Sequence, residues 1–238
     1  VGSGPNSTTL HYEPNTRMME NGDLLLMDIG AEYGYYTADI SRTIPVNGKF
    51  SEEQRVIYQL VLDAQLAAIE QMTPGKQFLD GQLAASEVIA SGLTQLGLVT
   101  DPEASWQTAF YTLHGFSHYL GLDVHDVGRT GLSRSSYQHR SSIPKAVESR
   151  ELEPGMVLTI EPGVYIREEG LDQIYDMYGS EVDSLEIAAF VEQVNSVVEK
   201  YIHIGVRIED DILITNDGNI VLSRYAPKKV EDIEQLMR

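Results

Sequence analysis

Apolar residues along this chain alternate between strand-like runs and helix-like stripes. Residues 23–29 (DLLLMDI) form a short apolar run behind the turn pair Asn21-Gly22, which predicts a buried strand. Residues 33–40 (YGYYTADI) are aromatic and β-favouring, and predict a second strand paired with the first through a turn near Gly30. Pro45-Val46-Asn47-Gly48 is turn chemistry. Ser51 and Gln54 then make a capping box, and Val56, Leu60, Ala64 and Ala67 recur at helical spacing up to Met72, before Pro74-Gly75 stops the helix. A second helix is expected over 81–96, with Gly97 as its C-cap. Strands follow at 157–160, 164–166 and 206–214, the last mixing apolar and acidic residues. Asn216-Asp217-Gly218 makes a turn, and Val221 can start another strand. Residues 183–201 carry Ile187, Val191, Val194 and Val198 near one stripe, and a last helix fits 229–237. Strands and helices in separate runs indicate one α+β domain. Two stretches, the Ser- and Arg-rich 129–150 and 167–202, read as excursions from the core, and a surface insertion is the simpler reading of the second.

Composition narrows the function. The 238 residues carry 17 Lys+Arg against 36 Asp+Glu, a net charge of −19, which opposes binding to nucleic acid. No apolar run reaches the ~20 residues of a membrane helix. There is no cysteine, so disulfides, thiolate nucleophiles and iron–sulfur clusters are excluded, and any metal must be held by His, Asp or Glu. The lack of cysteine and of a signal pattern points to a cytoplasmic source. The chain begins at Val1 and reads as a piece of a longer protein.

The candidate chemistry lies in four places. Asp28 and Asp39 sit at the ends of neighbouring predicted strands, where a carboxylate is costly unless paired or bound to a cation. His114, His118 and His125 cluster in HGFSHYLGLDVH. Glu161 ends a predicted strand beside Pro162, and Arg207 and Glu209 share a face of another by the period of two. For Glu209 alone, a solvated strand face is the simpler reading. Taken together, Asp28, Asp39, His118, Glu161 and Glu209 are four acids and an imidazole, a set suited to Mn2+, Zn2+, Co2+ or Fe2+. Such acids repel one another if they converge without cations.

These segments, LLLMDIGAEYGYYTADISRTIPVNGKF, HGFSHYLGLDVHDVG, MVLTIEPGVYI and GVRIEDDILIT, resemble the creatinase/aminopeptidase family of metallopeptidases, in order and along the whole chain. The likeness is strongest to its Xaa-Pro aminopeptidase branch and next to proline dipeptidases. It implies the pita-bread fold, a curved antiparallel sheet covered by helices. It also implies two divalent ions, Mn2+ first with Zn2+ or Co2+ as alternatives, held by Asp28, Asp39, His118, Glu161 and Glu209, with Asp39 and Glu209 shared between the ions. By the same resemblance His125 contacts the substrate and the developing oxyanion, His114 and His11 line the substrate pocket, Glu161 carries a proton, Arg207 stands beside the shared Glu, and Tyr165 backs the ligands. The implied reaction is hydrolysis of the bond between an N-terminal residue and a following proline. The implied partners are peptides with proline second, without nucleic acid or membrane; a homo-oligomer stays open. Relatives carry a preceding domain and earlier helices, so residues 1–238 read as the catalytic domain without them. The alternatives are a proline dipeptidase, a metal-free creatinase-like hydrolase and a non-catalytic binding module of the same fold.

Overall fold

The structure is a computed structural model describing residues 1–128, 130 and 149–238. The excursion 129–150 therefore falls almost wholly outside the described residues. Among the described residues every strand pairing is antiparallel. Strands β1 (Gly2–Ser3), β2 (Leu24–Ile29) and β5 (Ile40–Pro45) form one sheet in the order β1-β2-β5. Between β2 and β5 lies a small hairpin, β3 (Glu32–Tyr33) with β4 (Tyr36–Thr37). The expected second strand at 33–40 is thus corrected. Its aromatic residues make the exposed hairpin, and the partner of β2 is β5, with Asp28 opposite Ser41 and Leu24 opposite Pro45. Gly30 is required at this crossing, because a Cβ there would sit 1.7 Å from the Ala38 carbonyl oxygen.

Helix α1 (Glu52–Gln71) starts where the capping box predicts: Gln54 N–H donates to Ser51 Oγ (3.2 Å) and Ser51 N–H to Gln54 Oε1 (3.0 Å). Its buried stripe is Ile57, Tyr58, Val61, Ala64 and Ala68, displaced from the predicted one. Val56 faces solvent, while Leu60 turns towards Gly92 of α2 (Phe78–Gln95). The larger apolar area of Ile57, Tyr58, Val61 and Leu62 decides which face is buried. Helix α2 begins three residues earlier than expected, because Gln77 N–H donates to Asp80 Oδ2 (2.8 Å). Gly81 lies inside its first turns, where a Cβ would press on Met72 and Phe116. The helix ends in a Schellman motif: Gly97, at φ +76°, and Leu98 donate back to Thr94 and Leu93.

Short helix α3 (Ser105–Ala109) leads to β6 (Val157–Ile160) and β7 (Gly163–Ile166). Helices α4 (Gly170–Tyr178) and α5 (Ser184–Val198) follow, then β8 (Ile204–Arg207), β9 (Asp210–Ile214), β10 (Asn219–Val221) and α6 (Val230–Leu236). The segment 167–202 is no surface insertion. Ile174, Ile187, Phe190, Val194 and Val198 are buried in the same hydrophobic cluster as α1, α2 and the sheets. Phe190 meets Trp106 edge-on at 5.0 Å between ring centres.

The predicted strand 206–214 is two strands. β8 pairs with β7, and β9 pairs with β6 and β10. At the break, Ile208 N–H donates to Pro162 C=O and Glu209 N–H to Ser41 C=O. The acidic run Glu209-Asp210-Asp211 interrupts the alternation at the break, but a polar interruption does not by itself show a change of partner.

Candidate metal centre

The nine residues expected at a site line one cleft of about 290 Å3: Asp28, Asp39, His118, Glu161, Glu209, His11, His114, His125 and Arg207. Most of the proposed ligands sit on or next to paired strands. Asp28 lies near the end of β2, and Asp39 immediately precedes β5. His118 lies in an extended stretch running antiparallel to β6, where Thr159 N–H donates to His118 C=O (3.0 Å) and His118 N–H to Thr159 Oγ1 (3.1 Å). Glu161 follows β6, its N–H donating to Phe116 C=O (2.7 Å). Glu209 occupies the break between β8 and β9 and is only 1% exposed, so the solvated-face reading is excluded.

One ligand atom each from Asp39, His118 and Glu209 lie within 4.8 Å of one another, the one such group among the described residues. His118 Nδ1 donates to the Tyr119 carbonyl oxygen (3.0 Å), which turns Nε2 towards Asp39 (3.5 Å), Glu161 (3.5 Å) and Glu209 (3.9 Å). A backbone acceptor on one ring nitrogen is how a metal-binding imidazole is usually oriented. Glu209 Oε2 accepts from Ser41 Oγ (2.7 Å), but its Oε1 is buried without a hydrogen-bond partner. An ionised oxygen left so is costly unless a cation completes it. The donor set therefore fits hard or borderline divalent ions.

Asp28 and Glu161 flank this trio. Asp28 Oδ2 accepts from Arg207 Nη2 (2.7 Å). Buried Arg207 also donates from Nε to Ser41 Oγ (2.9 Å) and from Nη1 to the Tyr165 hydroxyl (2.9 Å). His114 Nδ1 donates to Gly115 C=O (2.7 Å), so Nε2 accepts from the Tyr165 hydroxyl (2.7 Å). Gly163 leaves room for this contact, since a Cβ there would lie 2.5 Å from the Tyr165 hydroxyl oxygen. The His125 ring tilts over His118, 4.1 Å between centres.

Four further residues escape the sequence reading. Ser41 bridges Glu209 and Arg207. Arg42 donates to the backbone oxygens of Ser41, Glu209, Ala226 and Pro227 and to Asp210 Oδ1 (2.7 Å). Asp210, fully buried, also accepts from Lys228 (2.6 Å), Ser223 (2.6 Å) and Gln65 (3.1 Å). Asp211 accepts the Asp39 N–H. The available signal is the polar triplet Ser41-Arg42-Thr43 inside an otherwise apolar strand, buried here.

Burial, reinforced by Asp39, pushes Glu209 up to about 8. Burial and Glu209 together hold Glu161 well above the usual carboxylate range. Burial alone would lower His118, but Asp39, the Tyr119 carbonyl and Glu161 together outweigh it and raise it. Burial and neighbouring His118 lower His125. A carboxyl raised in the fold stabilises it while protonated. That contribution is complete below the unfolded value near ~4.3 and is lost as pH rises through about 8. Chelated protein should therefore melt several degrees lower at pH ~9 than at pH ~6, and saturating divalent ion should flatten the difference. A flat profile under chelator would contradict the assignment.

Residues 1–216 match metallopeptidase family M24. The chain is 40% identical over 242 residues to Xaa-Pro aminopeptidase of Haemophilus influenzae, covering 100% of this chain and 47% of that protein. It is 37% identical over 246 residues to Xaa-Pro dipeptidase of Rattus norvegicus, covering 99% and 47%. Its fold superposes on aminopeptidase P from E. coli with the inhibitor Pro-Leu at a TM-score of 0.78 and 42% identity, covering 99% of this chain and 46% of that one. The chain thus spans about half the length of the curated relatives it matches, and it has the pita-bread fold.

Proposed function

Since this chain belongs to metallopeptidase family M24, we propose that residues 1–238 are the catalytic domain of a two-metal exopeptidase that removes an N-terminal residue preceding proline. The observation carrying this reading is Glu209 Oε1, a buried oxygen without a partner beside Asp39 and the inward-turned His118 Nε2. Asp28, Asp39, His118, Glu161 and Glu209 would hold two divalent ions, Mn2+ first among candidates. When bound, the ions supply an activated water and polarise the scissile carbonyl.

The chain's own residues do the rest. Arg207 and Ser41 fix Asp28 and Glu209 by hydrogen bonds. Glu161, whose burial beside Glu209 favours its protonated form while no ion is bound, can take up a proton and pass it to the leaving proline nitrogen. His125 stays neutral at pH 7 because burial and His118 lower it, and can donate an N–H to the developing oxyanion. His11 and His114 line the cleft where the peptide would lie. A proline in second place makes the scissile amide tertiary, without an N–H to bind.

The dipeptidase reading requires a cation for the free carboxylate after proline. Among the described residues lining the cleft, Arg207 is the one Arg or Lys, and all three of its nitrogens are engaged. That favours peptides extending beyond proline. The test is release of free glycine from Gly-Pro-Ala and from Gly-Pro, with Mn2+ and with chelator. Metal-dependent cleavage of the tripeptide, with the dipeptide poor, is expected. Preference for the dipeptide would move the assignment to proline dipeptidase, and no cleavage by folded, metal-loaded protein would favour a binding module.

A further inference from the structure

We propose that Asp211 is a positioning residue that fixes Asp39 through its backbone and does not itself bind metal. Asp39 lies outside the β-ladders, between β4 and β5, so no strand partner holds its N–H. Both Asp211 carboxylate oxygens stand 3.3 Å from that nitrogen, across 172 positions of sequence. Asp211 is itself anchored: its N–H donates to Ser223 Oγ (3.1 Å) and its C=O accepts from Leu222 (2.8 Å). Its register partner on β6 is Thr159, whose backbone and hydroxyl hold His118. One residue on β9 thus links the two ligands, holding the Asp39 N–H with its side chain and pairing by its backbone with the Thr159 that holds His118.

The neighbouring acid serves elsewhere. Successive strand residues face opposite sides, and Asp210 turns to Arg42, Lys228, Ser223 and Gln65. Asp211 contributes no atom to the trio gathered within 4.8 Å. Its carboxylate instead caps a backbone donor, a task that the side-chain oxygen of asparagine can also perform.

The inference rests on reading Asp39 as a metal ligand, so the test has a readout free of metal. Amide hydrogen exchange at Asp39 is measured in chelated wild type, Asp211→Asn and Asp211→Ala, followed by Mn2+ titration of each. In Asp211→Ala, exchange at Asp39 should rise and Mn2+ affinity should fall ~10–100-fold, the usual cost of losing support behind a ligand. Asp211→Asn should keep wild-type exchange and stay within ~3-fold in Mn2+ affinity, inside the range of an intact support. If the alanine variant does not fold, the asparagine variant decides alone. Loss of ~10-fold or more there would mean that Asp211 acts by charge or as a ligand, and would overturn the proposal. Unchanged exchange at Asp39 in Asp211→Ala would overturn it too. Wild type binding no Mn2+ would refute the metal reading, while the exchange measurement still decides the role of Asp211.

Discussion

Asp39→Asn is expected to strip the protein of divalent ions and of all metal-dependent activity. Asp39 belongs to the trio whose ligand atoms gather within 4.8 Å, and its contact with His118 shows the carboxylate facing the shared space. Asparagine keeps the shape and the backbone N–H to Asp211 but removes one negative charge. A pair of unit charges about 4 Å apart at an effective dielectric of about 20 is worth about 4 kcal/mol, so Mn2+ affinity should fall on the order of 10^3-fold. Metal analysis after dialysis reads this directly. The melting temperature under chelator should stay close to that of wild type, because the lost partner is an ion and not the fold. A variant that retains wild-type metal content would remove Asp39 from the ligand set.

Arg42→Met should be the most damaging single change to stability outside the apolar core. Arg42 is buried, its donors are spread over four backbone oxygens and Asp210, and Asp210 is fully buried. Breaking a buried pair by removing one partner typically costs about 3–5 kcal/mol, because the remaining charge stays buried. Lys228 at 2.6 Å softens the loss without replacing the backbone contacts. The comparison variant is Arg55→Met, which loses ion pairs to Glu231 (3.5 Å) and Glu234 (2.6 Å) at the surface. That change should cost about 1 kcal/mol or less. Urea midpoints of the two variants under chelator should differ accordingly, and equal midpoints would show that the Arg42 cluster adds nothing. The sign against pH follows from Asp210. Burial alone would raise it, but Arg42 and Lys228 hold it below the ordinary carboxylate range. Its contribution is present above the unfolded value and lost on acidification, so the gap between wild type and Arg42→Met should narrow at low pH.

What could be read from the residues was local. The capping box at Ser51 fixed the start of α1, and the run 157–160 is β6, because both signals lie within a few residues. The four motif blocks carried the family, and all nine expected site residues reach one cleft. The strand errors share a physical cause, which strand pairs with which, while the α1 stripe and the buried segment 167–202 were decided by packing against distant parts of the chain. The tyrosines at 33–36 favour extended backbone equally in a sheet strand or an exposed hairpin, and only the crossing at Gly30 separates the two. The stretch 204–214 changes partners at Glu209, and its acidic run Glu209-Asp210-Asp211 does not say which strand each half joins. Asp210 and Asp211 looked alike in sequence, yet one neutralises a buried arginine and the other caps a backbone amide.

The contacts that shape this cleft join distant parts of the chain: Ser41 and Glu209 are 168 positions apart, and Asp39 and Asp211 are 172. Closing loops of that length must precede any reward from the contacts they permit. The trio of Asp39, His118 and Glu209 is therefore expected to assemble late in folding, with its two carboxylates brought together only once the strands are in place. Until then its carboxylates are separately solvated and do not repel one another. An ion can bind well only to the completed arrangement, so it stabilises the native state by mass action. Bound Mn2+ is therefore expected to slow unfolding and to leave the folding rate of the bare polypeptide unchanged, which stopped-flow refolding and unfolding with and without chelator would read.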